Sequence, residues 1–398
     1  MSQLEQAYKN AIARNIRIDA TRGKPGEEQI AIACDFLKPL DSWVAESGME
    51  VRNYGLIDGL PEMRRLFASM LEVDADDVIV GDTSSLRMMF EFFSSMIHAN
   101  RWQQGKSKFI CPSPGFDRHF NLCEHLGIGM INVDMTPSGP DMDAVELYAQ
   151  DPNIVGIWCV PLFSNPQGYI YSDETIARLA CMKTANPDFR IIWDNAYIMH
   201  NFIGDRPKQL NIYSECIKRG HEDRPMMYTT FSKISIAGAA VACVSASRGN
   251  LEFYRRRVAA QCLGTDKVNQ LRHVRYFKDI KGVEAHMQKH AGILRPMFEK
   301  SKAYLDEHLK DTNATFIIPK GGYFIPIKTQ NGCAKKVWQL CSNAGLTLTP
   351  AGAMHPYGVD PNDAWLRLAP SCLNDKELDH ALEVLCISIK LAEGELLC

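Results

Sequence analysis

The chain has 398 residues, of which 46% are hydrophobic and 23% are charged, a composition typical of a globular protein with room for more than one domain. The 44 basic and 47 acidic residues give a net charge of −3, so no excess of positive charge favours binding to nucleic acid or an anionic membrane. Thirteen scattered cysteines are too few for a disulfide scaffold, and no apolar run is long enough for a membrane helix. We therefore expect a soluble, cytoplasmic protein with neither a nucleic-acid nor a membrane partner.

Short β-branched or aromatic runs alternate with longer helix-like stretches between residues 75 and 245. This alternation predicts a large domain of the α/β class, with a mainly parallel, seven-stranded sheet between layers of helices. The seven candidate strands are Val78–Val80, Phe109–Cys111, Gly129–Val133, Ile154–Val160, Arg190–Trp193, Met226–Thr229 and Ala240–Val244.

Polar segments follow most of these candidate strands at their C-terminal ends. Ligands of open α/β sheets bind at that edge, so the segments are expected to converge on one crevice. They are GDTSS (81–85), PSPGFDRH (112–119), LFSNPQG (162–168), DNAY (194–197) and TFSK (230–233).

The pattern changes after about Lys281, where a long helical stretch precedes short strands and a final helix from Asp375. This part is predicted to form a smaller α/β domain that the N-terminal segment completes. The expected division is residues 1–48 for that segment, 49–283 for the large domain and 284–398 for the small domain.

Lys233 precedes a run of small residues in a stretch that is predicted to be buried. A buried, unpaired lysine has a lowered pKa, and its neutral amine is a nucleophile that can form a Schiff base. The alternative is a lysine at a strand end that extends its amine to solvent.

Asp194 directly follows an apolar run, where a buried carboxylate needs a cationic or hydrogen-bonding partner. The protonated pyridine nitrogen of pyridoxal phosphate would be such a partner. Tyr197, three residues further on, could then bind the ring hydroxyl. The alternative for Asp194 is a helix N-cap.

Three further features have both a functional and a structural interpretation. Asn165 would direct its amide into the crevice, or it belongs only to a turn. Residues 81–85 offer hydroxyls and free N–H groups at a helix N-terminus, which can hold a phosphate or merely cap the helix. Arg367, in an apolar strand, suits a substrate carboxylate or an internal salt bridge.

His286 and His290 have the i, i+4 spacing of metal ligands. The segment lacks the glutamate of a zinc hydrolase motif, so it is predicted to be a solvated helix face. No metal site is expected here or elsewhere.

The order of these motifs resembles that of fold-type I, pyridoxal-phosphate-dependent aminotransferases of class I/II. Asn-Pro-x-Gly is followed by Asp-x-Ala-Tyr, then Ser-Lys before small residues, then a late arginine. Longer segments are similar to the bacterial MocR-like aspartate aminotransferase subgroup: ATRGKP (20–25), RNYGLIDGLPEMRRLF (52–67), PGFDRHF (114–120), DKVNQLRHVRYFKD (266–279), GGYFI (321–325), LTPAGAMHPYG (348–358) and LRLAPS (366–371).

The resemblance implies a catalytic role for each of the central residues. Lys233 would form the Schiff base with the cofactor and move the proton during transfer. Asp194 would pair with the ring nitrogen, and Asn165 and Tyr197 would contact the ring hydroxyl. Arg367 would bind the substrate carboxylate, and the substrate-binding residues would also include Gly23 and Asn165.

The resemblance further implies a homodimer with shared active sites, in which Tyr54 reaches the cofactor phosphate of the partner subunit. Phe116 would stack on the cofactor ring. The residues expected around the phosphate are Asp82, Thr83, Ser84, Thr230 and Ser232.

The chain departs from the family pattern at a few positions. The usual phosphate-binding arginine is missing, because residues 234–247 contain no basic side chain. Phe116 replaces a Tyr or Trp, Leu162-Phe163 replaces Lys-Tyr, and Ser371-Cys372-Leu373 replaces Ser-Phe-Pro.

Three functions are compatible with this sequence. The first is amino transfer between an amino acid such as aspartate or glutamate and a 2-oxo acid. The second is β/γ-replacement or C–C bond formation through a quinonoid or eliminated intermediate, which the substituted positions motivate. The third is an effector-binding module of a MocR-type regulator, which the roughly twenty residues before the first family segment disfavour.

Overall fold

The computed structural model describes residues 3–81 and 83–396. Its strands are β1 Ile18–Asp19, β2 Val78–Val80, β3 Lys108–Ser113, β4 Gly129–Thr136, β5 Gly139–Pro140, β6 Ile154–Cys159, β7 Arg190–Asp194, β8 Pro225–Thr230, β9 Ala242–Ala246, β10 Thr315–Phe316, β11 Ile325–Lys328, β12 Leu346–Thr347 and β13 Trp365–Leu368. Its helices are α1 Gln3–Ala13, α2 Glu27–Ile32, α3 Pro61–Leu71, α4 Ser85–His98, α5 Asp117–His125, α6 Met142–Tyr148, α7 Asp173–Cys181, α8 Ile212–Ile217, α9 Arg248–Gln261, α10 Lys267–Phe277, α11 Ile280–His308, α12 Ala334–Asn343 and α13 Asp375–Leu396.

The main sheet has the strand order β2-β9-β8-β7-β6-β3-β4-β5. The five strands from β8 to β4 are mutually parallel, whereas β9 runs antiparallel to both of its neighbours. The predicted α/β class and all seven predicted strands are confirmed. An eighth strand, β5, pairs antiparallel with β4 at the edge. Its two residues are Gly and Pro, and Pro is tolerated at a sheet edge, so no strand was predicted from the sequence there.

The central strands are hydrophobic on both faces because helices cover both sides of the sheet. Every residue of β6 is buried. Ile157 packs into the core cluster on one face and Trp158 into the cluster on the other. This arrangement explains why β6 is a continuous apolar run with no alternation of polar residues.

The two ends of the chain meet outside the main sheet. Strand β1 pairs in parallel with β12, with Ile18 opposite Leu346. The Tyr8 hydroxyl of α1 donates a hydrogen bond to the Leu340 carbonyl oxygen at 2.8 Å. Strands β10, β11 and β13 form a separate antiparallel sheet. Among the described residues, no helix combines the length and apolar character needed to cross a membrane.

Helices α10 and α11 carry histidines that are buried, which overturns the prediction of a solvated face at His286 and His290. The His286 Nε2 donates to the Ile234 carbonyl oxygen at 2.7 Å, and the His290 Nδ1 accepts from Gln29 at 2.9 Å. On α10, the His273 Nδ1 donates to the Asn269 carbonyl oxygen at 2.8 Å. Burial lowers the pKa of His273 to about 4 and that of His290 to about 3.

These pKa values predict that acid destabilises the protein. Unfolded histidine binds a proton below about pH 6.5, whereas the buried rings stay neutral until about pH 4, so the free energy of unfolding falls as the pH drops through 6.5. At pH 5 each ring costs about 2 kcal/mol. Urea unfolding of the cofactor-saturated protein at pH 7.5 and pH 5 measures this loss. His290→Gln is expected to reduce it, whereas His98→Gln, at an exposed position, is the control. An equal loss in all three proteins would contradict the prediction.

Candidate active site

One cavity of about 400 Å³ lies at the C-terminal ends of the central parallel strands. Four of the five predicted segments contribute to its walls, and the fifth, residues 81–85, is hydrogen-bonded to the segment that carries Lys233. The predicted site residues that line it are Gly23, Phe116, Asn165, Asp194, Tyr197, Lys233 and Arg367.

Asp194 ends β7 and is only 5% exposed. Both of its carboxylate oxygens have partners: Oδ2 accepts from the His119 Nε2 at 3.0 Å, and Oδ1 accepts from the Ala196 amide at 3.1 Å. His119 is held flat against Trp158, with ring centres 4.1 Å apart. The position of this buried carboxylate is therefore fixed from two sides.

His119 is one of the residues at this site that the sequence analysis missed, as are Thr21, Asp117, Phe324 and Thr349 around Arg367. The only signal for His119 was its place in the segment PSPGFDRH, one turn of helix beyond Phe116. The Phe116 ring, at the start of α5, packs edge-on against the His119 ring with centres 4.9 Å apart. Phe116 is half-buried and forms one wall of the cavity.

Lys233 follows β8, the strand next to β7 in the sheet. Its Nζ lies 4.9 Å from the centre of the Tyr197 ring, and it makes no hydrogen bond or ion pair with any residue in 3–81 or 83–396. Burial lowers the pKa of Lys233, Asp194 opposes this shift, and Arg367 adds to it. The lowered pKa increases the neutral, nucleophilic fraction of the amine, the direction expected from the sequence.

Arg367 comes from β13 and is buried. One terminal nitrogen donates to the Asn165 Oδ1 at 2.8 Å, and the other donates to the Thr349 hydroxyl at 2.8 Å and the Thr21 carbonyl oxygen at 3.1 Å. The Asp117 carboxylate lies 3.7 Å from Arg367, so the predicted internal salt bridge is present at long range. The amide of Asn165 reaches the cavity as predicted and also orients this guanidinium.

Gly23 is required for close packing beside Arg367. A Cβ atom at this position would lie 2.6 Å from the Tyr323 Cβ and 2.7 Å from the Phe324 Cζ. The Phe324 ring in turn lies under the guanidinium, with its centre 4.3 Å from the Arg367 Cζ. The absence of a side chain at Gly23 therefore lets the N-terminal segment close against the arginine.

A group of hydroxyls adjoins Lys233 in the chain. The Thr230 and Ser232 hydroxyls are 2.7 Å apart, and Ser232 donates to the Thr83 carbonyl oxygen at 3.3 Å. Ser84 caps α4 by accepting from the Arg87 amide at 3.4 Å. The four predicted hydroxyl residues thus lie near the N-terminus of one helix, where backbone N–H groups attract an anion. Asp82 lies outside the described residues.

Tyr54 does not line the cavity of its own chain and is 81% exposed. Its loop is anchored by Lys267, which donates to the Gly55 carbonyl oxygen at 2.9 Å. This exposure leaves the Tyr54 side chain available to a second molecule.

The substituted family positions mostly lie away from the cavity. Phe163 packs in the core against Gly321, where a Cβ would come within 2.6 Å of the Phe163 ring. Ser371 is buried and donates to the Lys24 carbonyl oxygen at 2.8 Å. Of these positions, only Phe116 is among the described lining residues.

Comparison with known proteins assigns the chain to a family. The family described as aspartate amino-transferase matches residues 1–398. An aspartate aminotransferase of Corynebacterium glutamicum is 39% identical over 402 residues, which cover 98% of this chain and 93% of that protein.

Solved structures agree with the fold. The crystal structure of an aspartate transaminase from Corynebacterium glutamicum superposes with a TM-score of 0.94 at 38% identity, covering 99% of this chain and 96% of that chain. The α-aminoadipate aminotransferase LysN of Thermus thermophilus, solved with N-(5′-phosphopyridoxyl)-L-leucine, has a TM-score of 0.77 at 19% identity, covering 99% and 98% of the two chains. The latter shares the fold.

His119 is predicted to stabilise the buried carboxylate through its N–H. His119→Phe keeps an aromatic ring against Trp158 but leaves an Asp194 oxygen without its donor, so the free energy of unfolding should fall by about 1–3 kcal/mol. Urea unfolding of the cofactor-free protein measures the change. His119→Gln can supply an amide N–H and is expected to recover part of the loss. Unchanged stability in His119→Phe would rule out this role.

Proposed function

The chain belongs to the aspartate aminotransferase family, and from this premise we propose its substrates and the roles of its residues. The family makes it an aminotransferase with pyridoxal phosphate as its cofactor. We propose that aspartate or glutamate is the donor and that a 2-oxo acid such as 2-oxoglutarate is the acceptor. The observation that carries this proposal is the buried Arg367 guanidinium, which shares one cavity with Lys233 and Asp194.

The polar groups of the cavity fit pyridoxal phosphate. The amine of Lys233 has no hydrogen-bond or ion-pair partner among the described residues. It is therefore available to react with the aldehyde of the cofactor. Asp194 offers a fixed carboxylate to a protonated ring nitrogen, and Phe116 offers an aromatic face to the ring. The hydroxyls of Thr230 and Ser232, 2.7 Å apart and close to Lys233 in the chain, would hold the cofactor phosphate.

Each residue then has a defined task in the reaction. When bound, pyridoxal phosphate supplies an electron-accepting ring that stabilises negative charge on the carbon next to the substrate nitrogen. Asp194 keeps the ring nitrogen protonated, and Tyr197 with Asn165 orients the ring hydroxyl. Lys233, once released from the cofactor, removes the proton from the substrate carbon with its neutral amine.

Arg367 selects substrates that carry a carboxylate next to the reacting carbon. Its planar fork matches a carboxylate, and burial strengthens the interaction by excluding water. Asn165 and Thr349 hold the guanidinium in place before substrate arrives. Preorganisation of this kind reduces the entropy lost when substrate binds.

We also propose a homodimer, because the exposed loop of Tyr54 resembles the family segment that completes the partner's site. Leu263, close to this loop through the hydrogen bond from the Gly55 amide to its carbonyl oxygen, is 65% exposed. A second subunit would cover both side chains. In the same proposal, residues 1–48 and 284–398 form a small domain beside the large one, with the boundary near the start of α11.

Transamination is favoured over β/γ-replacement or C–C bond formation. The 39% identity extends over nearly the full length of an aspartate aminotransferase. The substitutions that motivated the second hypothesis mostly lie outside the cavity, as Phe163 and Ser371 do. The residues that line the cavity therefore give little reason to expect a reaction other than transamination.

Lys233 is predicted to carry the cofactor. Borohydride reduction followed by trypsin should place the pyridoxyl tag on residues 220–248, because trypsin cuts neither before Pro225 nor after a modified Lys233. Lys233→Ala should lose the tag and at least about 10²–10⁴-fold of the amino transfer from aspartate to 2-oxoglutarate. A tag on another peptide, or full activity in the variant, would refute the assignment.

Tyr54 is predicted to act in the partner's site. Lys233→Ala and Tyr54→Ala should each be impaired alone, whereas a hybrid dimer of the two contains one site with both Lys233 and Tyr54 intact. Mixing the two variants after mild dissociation should therefore restore activity. A monomer in light scattering, or no recovery on mixing, would contradict the shared site.

A further inference from the structure

Three consecutive residues of the segment that carries Lys233 are hydrogen-bonded to buried histidines. The pairs are the His200 Nε2 with the Lys233 carbonyl oxygen at 3.4 Å, the His286 Nε2 with the Ile234 carbonyl oxygen at 2.7 Å, and the His273 Nε2 with the Ser235 hydroxyl at 2.8 Å. The histidines come from the loop after β7, from α11 and from α10. The main chain at the cofactor lysine is therefore held from three separate elements.

His200 differs from the other two histidines in its surroundings. His273 uses both of its ring nitrogens, and the His286 Nδ1 lies 3.3 Å from the Tyr276 hydroxyl. His200 is only 2% exposed, yet the hydrogen bond from its Nε2 is long and its Nδ1 has no hydrogen-bond partner among the described residues. A buried nitrogen without a partner costs free energy. His200 therefore adds little to the stability of the fold, which points to a role in the site.

The Lys233 carbonyl oxygen has a second donor. The Tyr323 hydroxyl donates to it at 3.3 Å and itself accepts from the Gln29 amide at 3.0 Å. A carbonyl oxygen has two lone pairs, so it can accept from His200 and Tyr323 at once. Because the peptide unit is planar, two donors on its oxygen restrict the rotation of the main chain after the Lys233 Cα. The direction in which the lysine side chain leaves the backbone is limited as a result.

The turn that carries His200 also carries two groups proposed to hold the cofactor ring, Asp194 and Tyr197. Asp194 ends β7, and the His200 amide donates to the Tyr197 carbonyl oxygen at 2.9 Å. The rings of Tyr197 and His200 pack edge-on with centres 5.7 Å apart, and the Lys233 Nζ lies 4.9 Å from the centre of the Tyr197 ring. The distance between the cofactor ring and the amine thus depends on one short loop.

We propose that His200 is a positioning residue for amino transfer, which holds the Lys233 main chain so that the amine meets the cofactor aldehyde and then the substrate proton. This inference rests on the proposed function and deepens it, because it gives a task to a residue outside the described cavity lining. Lys233 serves two atoms in turn, so its reach must suit both. A displacement of about 1 Å can lower the rate of such a step about 10²-fold.

The substitution His200→Phe keeps a ring beside Tyr197 and Tyr323 but removes the donor to Lys233. In a single turnover with aspartate, the maximal rate should fall about 10- to 100-fold. The half-saturating aspartate concentration should change less than about 3-fold, because the groups that bind substrate are intact. Urea unfolding of the cofactor-free protein should show no loss of stability, since the unpartnered nitrogen is removed as well. His200→Gln can direct an amide N–H toward the carbonyl and should recover part of the rate.

The capture of the cofactor by Lys233 gives a measurement that does not depend on turnover. Cofactor-free protein is mixed with pyridoxal phosphate, samples are reduced with borohydride at intervals, and the label on residues 220–248 is quantified. The label should appear about 10-fold more slowly in His200→Phe, because the amine is less often within reach of the aldehyde.

A Lys233→Ala background separates positioning from a general disturbance of the site. Methylamine from solution then supplies the missing amine, so the rescued rate no longer depends on the direction of the side chain at 233. His200→Phe should lower this rescued rate less than about 3-fold, far less than it lowers the rate with Lys233 present. Where methylamine restores no activity, the labelling rate decides.

His380→Phe is the matched control. His380 lies on α13, is also buried and also has a ring nitrogen without a hydrogen-bond partner among the described residues. Because it is remote from the Lys233 segment in its contacts with Arg14 and Glu383, its replacement should change the single-turnover and labelling rates by less than about 3-fold.

Three results would overturn the inference. They are unchanged single-turnover and labelling rates in His200→Phe, an equal loss in the methylamine-rescued background, and a loss of stability that accounts for the loss of rate. A wild-type protein that is labelled at Lys233 but transfers no amino group would instead refute the proposed function, and the labelling rates would still decide the role of His200.

Discussion

The arrangement of the site depends on how one buried group, the carboxylate of Asp194, is hydrogen-bonded. Removing a carboxylate from water is costly unless hydrogen bonds replace its hydration. Here the replacement comes from His119 on one oxygen and from the Ala196 amide on the other. Because the stack on Trp158 fixes the His119 ring, the core on that face of the sheet sets the position of the acid. The position of this carboxylate thus originates in packing beneath the cavity.

Strand order brings the other groups to this charge. β7 and β8 are neighbours, with Asp194 opposite Tyr228, so the loop that carries Lys233 begins beside the acid. Lys233 is half-buried, and the charges of Asp194 and Arg367 act in opposite directions on its pKa. In a parallel sheet the loops that follow the strands all lie at one edge, so residues in these loops are close to one another.

The sequence was sufficient for seven strands of the main sheet and for the central residues of the cavity. Strands such as β6 are recognisable because they are apolar on both faces. Lys233, Asp194 and Arg367 are recognisable because each is a charged residue within or directly after an apolar run, and all three line the cavity. What could not be predicted were contacts between distant residues. His286 and His290 have the polar residues Gln288 and Lys289 between them, but their partners lie 52 and 261 residues away. The role of His119 likewise depends on Asp194, 75 residues further along the chain.

The junction of the two chain ends has a consequence for biosynthesis. Thr21 and Arg367 are 346 residues apart, yet they hydrogen-bond at the cavity wall, and β1 finds its pairing strand only in β12. At translation rates of about 5–20 residues per second, the N-terminal segment waits on the order of tens of seconds for these partners to leave the ribosome. During that interval Ile18 and Ala20, which are buried in the finished protein, have no native surface to cover them. The cavity wall that contains Thr21 and Arg367 is therefore among the last parts of the nascent enzyme to form.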